Sequence, residues 1–148
     1  MKKITAVLTV VLCLAFATSA YADKRQEAID LVDKAVAYAD ANGIEAAFAE
    51  MNKADGMFTN AEGMYVFAYD TQGAMAAHYK TNLIGKNLVN KTDPDGKYFR
   101  KDILEVAKTA GEGWVDYKYR DKATKLLSDK TTYVKKYKDY VFCCGFSK

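Results

Sequence analysis

Apolar and polar residues fall into three kinds of pattern along this chain. From Lys24 to Ala41, Ala28, Val32, Ala35, Val36 and Ala39 recur at helical spacing, with Leu31 and Tyr38 beside them. Asn42-Gly43 stops that helix, and Ile44, Ala47, Phe48 and Met51 start a second, shorter one that runs to about Asn52. Met64 to Tyr69 is a continuous apolar and aromatic run, too short for an ordinary helix and suited to a strand covered on both faces. Asp70-Thr71-Gln72-Gly73 reads as a turn, and Ala74 to His78 as the returning strand of a hairpin. Tyr79 to Lys97 then shows little periodicity and holds the only proline, Pro94. Long irregular segments in compact domains are often binding loops.

The remainder alternates between one helix and three strands. Asp95 is placed to cap a helix whose apolar stripe is Phe99, Ile103, Val106, Ala107 and Ala110, ended by Gly111. Glu112 to Arg120 alternates, with Val115, Tyr117 and Tyr119 on one face and Trp114, Asp116, Lys118 and Arg120 on the other. Asp121 to Asp129 is a polar connection, Thr131 to Tyr137 a strand, and Lys138-Asp139 a tight turn into a last strand, Tyr140 to Phe146. The sum is an α+β domain with N-terminal helices packed on a central five-stranded antiparallel β-sheet. No internal repeat or low-complexity segment interrupts it.

The first 22 residues stand apart from this pattern. Lys2 and Lys3, the apolar Ile4 to Ala17 and the small-x-small Ala20-Tyr21-Ala22 make a signal peptide, with Asp23 the first residue of the mature chain. Ile4 to Ala17 is short of the ~20 apolar residues of a membrane span. Cys13 follows Leu12 rather than a small residue, which argues against a lipid anchor. The expected layout is a signal peptide over 1–22 and one domain over 23–148, exported to the periplasm, with retention as an uncleaved tether the alternative.

Charge narrows the partners. The chain has 22 basic and 19 acidic side chains, and losing Lys2 and Lys3 leaves a near-neutral protein with no field for gripping nucleic acid. A single histidine and the absence of metal-ligand, nucleophile or phosphate-loop spacing speak against an enzyme and against a cofactor. Cys143 and Cys144 are neighbours on a strand, so they point to opposite faces and an ordinary disulfide between them is disfavoured. Two small buried residues, a strained vicinal disulfide and an intermolecular bridge all stay open.

The order of motifs resembles a known family. A strand, then Asp70-Thr71-Gln72-Gly73, a strand ending in Ala77-His78, then Gly85-Lys86-Asn87 is similar to the single Cache domains, small extracytoplasmic sensors with a PAS-like fold. Asp95-Gly96-Lys97-Tyr98-Phe99, Gly113-Trp114-Val115-Asp116-Tyr117 and Lys130-Thr131-Thr132-Tyr133 continue the likeness over roughly residues 26 to 146. The resemblance implies a pocket for a small organic acid between the sheet and the long loop. Carried over by position, it implies polar contacts from His78, Tyr117, Lys130 and Tyr133, with Tyr65, Phe67 and Trp114 as walls. Arg100 and Lys101, early in their helix, are further cationic candidates, though such positions are commonly just solvated.

Two departures bear on the ligand. Tyr79 follows His78 where the family usually has proline, and Asp129 precedes Lys130 where proline is also usual. The expected function is an exported small-acid sensor domain without an output module of its own, presenting its ligand to a membrane receptor or kinase partner. The alternative is a periplasmic interaction or structural subunit with a vestigial pocket.

Overall fold

The computed structural model describes residues 2–120 and 125–148, with side-chain surroundings from residue 19 onward. The apolar core of the expected signal peptide, Ile4 to Ala17, lies outside the side chains described, as do residues 121–124 of the connection after the third strand. Helix α1 spans Lys2–Asn42, longer than the periodicity from Lys24 predicts. No glycine or proline occurs before Gly43, so nothing breaks the helix earlier. Gly43 does, with φ +90° and its N–H donating to the Ala39 carbonyl. Helix α2 follows over Ile44–Met51.

Five strands form one sheet: β1 (Val66–Asp70), β2 (Met75–Ala77), β3 (Glu112–Arg120), β4 (Leu127–Tyr137) and β5 (Tyr140–Ser147). Their order is β2-β1-β5-β4-β3. Every pairing is antiparallel, as the sequence leads one to expect. Strand β4 begins four residues earlier than its own alternation suggests. Its register pairs Arg120 with Leu127 and Glu112 with Lys135, so the long β3 holds the polar start of β4 in the ladder. The β1–β2 turn closes on Asp70, whose Oδ1 accepts the N–H groups of Gln72 and Ala74.

The sheet is covered on both faces, which explains the unbroken apolar run in β1. Val66, Ala68, Tyr133, Phe142, Cys144 and Phe146 face α1 and α2. Phe67, Tyr69, Val115, Val134, Val141 and Cys143 face helix α3 (Phe99–Thr109) and the long loop. Cys143 and Cys144 thus sit in different cores, free and buried. Burial raises both thiol pKa values, that of Cys144 to about 12.

The loop over residues 78–98 is tied down by backbone bonds. Met75 exchanges them with the Gly85-Lys86 segment, which covers the outer edge of β2. The expected Asp95 cap is not made. Helix α3 starts only at Phe99, after Tyr98, and has no side-chain cap. Asp93 organises the segment instead: its Oδ1 accepts the Asp95 and Lys97 N–H groups and its Oδ2 the Lys118 N–H from β3.

Candidate functional site

A cavity of about 80 Å³ lies between the sheet, the long loop and the first turn of α3. Tyr65, Phe67 and Tyr69 reach it from β1 and the residue before it, Met75 from β2, Tyr117 and Tyr119 from β3. These positions obey strand parity: 65, 67, 69 on one side chain row and 117, 119 on another. Lys130 and Gly145 close the sheet side, His78, Leu83 and Leu88 the loop side, and Phe99 and Arg100 the helix side.

The polar groups are arranged as donors. The buried His78 accepts the Lys80 N–H at Nδ1 (2.8 Å), so in the neutral ring the proton sits on Nε2. Burial, aided by the positive charges of Lys80 and Lys130, lowers its pKa to about 4. Its backbone is anchored too, with its N–H on Asn52 Oδ1 at 3.0 Å. Tyr65 stands edge-on to the His78 ring (centroids 5.2 Å) and Tyr79 stacks on it (4.9 Å, 25°).

On the opposite wall Phe99 and Tyr117 stack at 4.0 Å, and the Tyr117 hydroxyl lies 3.0 Å from Thr132 Oγ1. Burial drives the Tyr65 and Tyr117 hydroxyls well above the usual phenol range, and that of Tyr69 to about 12 against the opposing pull of Arg100. All of these tyrosines stay protonated donors at neutral pH. Lys130 holds its ammonium 4.7 Å from the centre of the Tyr119 ring. Arg100 lies over Phe99 (4.2 Å), and its Nε is buried with no hydrogen-bond partner among the described residues. An unsatisfied buried donor is costly unless an acceptor, such as a water or a ligand oxygen, lies beside it.

Of the residues singled out in the sequence, His78, Tyr117, Lys130, Tyr65 and Phe67 border this cavity. Trp114 and Tyr133 do not, and correcting them follows from strand parity. Tyr133 is three residues from Lys130, and Trp114 three from Tyr117, so each must face the other side. There Trp114 packs on Tyr133 (5.3 Å) and under the Arg25 guanidinium (4.3 Å), while the Tyr133 hydroxyl donates to Glu112 Oε2 at 2.9 Å. Both belong to the core beneath α1.

Arg100 borders the cavity, whereas Lys101 sits outside it over the Tyr98 ring. Tyr69, Tyr119 and Gly145 are further lining residues that motif order does not single out. Parity with Phe67 and Tyr117 points to the two tyrosines; for Gly145 only the β4–β5 register, which sets it against Thr132, does so. Among the described residues no group of His, Cys, Asp and Glu is placed to hold a metal.

Solved structures share this architecture. A periplasmic sensor domain of a chemotaxis protein aligns over 90% of this chain and 96% of its own, with TM-score 0.66 and 22% identity. A methyl-accepting chemotaxis protein from Vibrio parahaemolyticus aligns over 88% and 92%, with TM-score 0.71 and 18% identity. A Cache chemosensory domain described for carboxylic acid recognition aligns over 87% and 96%, with TM-score 0.70 and 19% identity. At these identities the likeness is one of fold. The sequence itself matches a family model, dCache_2, described as a Cache domain, over residues 51–147. That match takes in all five strands, the long loop, α3 and every residue that lines the cavity, and the chain belongs to the Cache domain family.

Proposed function

We propose that this protein is an extracytoplasmic sensor module whose cavity binds a small organic acid. The observation that carries the reading is Arg100: a permanent cation with a buried, unpartnered Nε, bordering a space that tyrosines, His78, Lys130 and apolar side chains line. Among the described residues no carboxylate side chain lines that space to neutralise Arg100. A carboxylate would supply the missing acceptor, with the tyrosine hydroxyls and His78 Nε2–H available to its oxygens. The size sets a limit. An apolar cavity of ~150 Å³ takes benzene, so 80 Å³ suits an acid of roughly two to four carbons. The Cache chemosensory domain described for carboxylic acid recognition gives the same ligand class to a related fold.

In this reading His78, Tyr117, Lys130 and Arg100 are polar contacts, and Tyr65, Phe67 and Phe99 are walls. The signal peptide over 1–22 exports the domain over 23–148 to the periplasm, and loop and α3 closure on the ligand is what a membrane receptor or kinase senses. A thermal-shift screen of ligand-free protein against acetate, propionate, pyruvate, lactate and malonate tests the binding step. Ligand at ~100 times its dissociation constant stabilises the fold by ~2.7 kcal/mol, a shift of several degrees. Folded, ligand-free protein that none of these acids stabilises would move the reading to an interaction subunit with a vestigial pocket.

A further inference from the structure

Helix α3 borders a second hollow, lined by other residues than the cavity at its first turn. A groove of about 250 Å³ runs between the middle of α3 and the end of the sheet near the β1–β2 turn. Its floor is apolar: Leu104 and Ala107 from the helix and Val141 from β5. Lys101, Lys108 and Lys136 stand around it, with Glu105 the one carboxylate in the lining.

Among the described residues, the lysines of this rim are not held in ion pairs. Lys97, Lys118, Lys135 and Lys148 each pair with a carboxylate. Lys101, Lys108 and Lys136 have no carboxylate within 4.0 Å among the described residues. The groove therefore sets three lysines against one glutamate around an apolar trough. A hydrophobic floor with a cationic rim is complementary to an anion that carries an aliphatic tail.

We propose that this groove is a second ligand site, for a medium-chain aliphatic carboxylate. The tail lies on Leu104, Ala107 and Val141, and the carboxylate meets the lysine rim. By the same scale on which ~150 Å³ takes benzene, 250 Å³ takes a chain of roughly six to ten carbons, too long for the cavity at Arg100. The groove is concave and holds one such chain, which favours a single amphiphile over a membrane surface. Leu104 also adjoins the loop and turn: a Cβ built on Gly73 would lie 3.2 Å from Leu104 Cδ1 and from Val89 Cβ.

Octanoate, below its micelle concentration, is the probe. Calorimetry and methyl NMR of purified protein should give saturable one-to-one binding, with shifts at the Leu104 and Val141 methyls. The double variant Lys108→Glu/Lys136→Glu changes only exposed side chains and should weaken octanoate roughly tenfold or more. Arg100→Met should leave it unchanged. Octanol binding as tightly as octanoate would overturn the carboxylate class. Octanoate shifts confined to the cavity and lost in Arg100→Met would overturn the second site while leaving the small-acid reading intact. Binding to anionic vesicles without binding of soluble octanoate would overturn it as well.

Discussion

The rings of Phe99 and Tyr117 lie face to face, centroids 4.0 Å apart and planes within 4°. Phe99 is the first residue of α3 and Tyr117 stands in the middle of β3, so the stack fixes where the helix begins against the sheet. Arg100, the next residue, is aimed by that contact. The Tyr117 hydroxyl is itself held by the fully buried Thr132. Tyr117→Phe keeps the stack and strips Thr132 Oγ1 of this partner. It should cost about 1–2 kcal/mol in urea unfolding, with a smaller effect on acid affinity. Tyr117→Ala removes the stack too and should weaken the acid much further.

Gly145 leaves room where any side chain would collide. A Cβ there would run into Thr132 Oγ1 and lie 3.1 Å from the Thr131 carbonyl oxygen. The hydroxyl that holds Tyr117 would have to move, and backbone cannot. Gly145→Ala should destabilise the domain by about 1–3 kcal/mol and lower acid affinity at the same time. Parallel unfolding and calorimetric titrations check both effects; a variant stable and binding as before would put Gly145 outside the site.

The two faces of the sheet should separate experimentally. Trp114 packs under Arg25 and on Tyr133 and Phe146, away from the cavity. Trp114→Ala should therefore lower stability by about 1–3 kcal/mol, since Trp114 is only partly buried, and leave acid affinity within about twofold. A large loss of affinity with little loss of stability would reverse that assignment.

His78 gives the fold an acid limit. Its folded pKa, about 4, lies below the ordinary 6.5, so between those values the unfolded chain takes up a proton that the folded one refuses. Its contribution is complete above pH 6.5 and declines as the pH falls toward 4. Melting temperatures measured from pH 7 to 4.5 should fall more steeply for the native protein than for His78→Asn. The asparagine keeps an acceptor for the Lys80 N–H and removes the titration. Acid affinity should be flat from pH 6.5 to 8, because His78, with its pKa of about 4, is neutral throughout that range.

How much of this was legible in the sequence depends on which force sets each feature. Helical spacing, the Asp70–Gly73 turn and the alternation of β3 are local, and helices, hairpin and sheet emerge where those patterns place them. The start of β4 is not local: Leu127 to Lys130 are in the ladder because β3 supplies partners. Asp95 looked like a cap because nothing in the sequence says that Asp93 can reach across to β3. Parity separates Lys130 from Tyr133 as it does Tyr117 from Trp114, whereas motif order puts all four together. Arg100 was ambiguous for a physical reason. The first turn of a helix is solvated unless a stack such as Phe99 on Tyr117 draws it inward.

Arg100 also gives the most direct test. Calorimetric titration of refolded, ligand-free protein with acetate, propionate, pyruvate and malonate should reveal at least one saturable acid. Arg100→Met removes the cation and its unpartnered Nε while keeping an aliphatic side chain over Phe99. It should melt no lower than the native protein and bind that acid roughly a hundredfold more weakly, the loss expected when a charge-assisted pair worth ~2–3 kcal/mol is removed. Undiminished acid binding in a folded Arg100→Met protein would contradict the cavity at Arg100 as the sensing site.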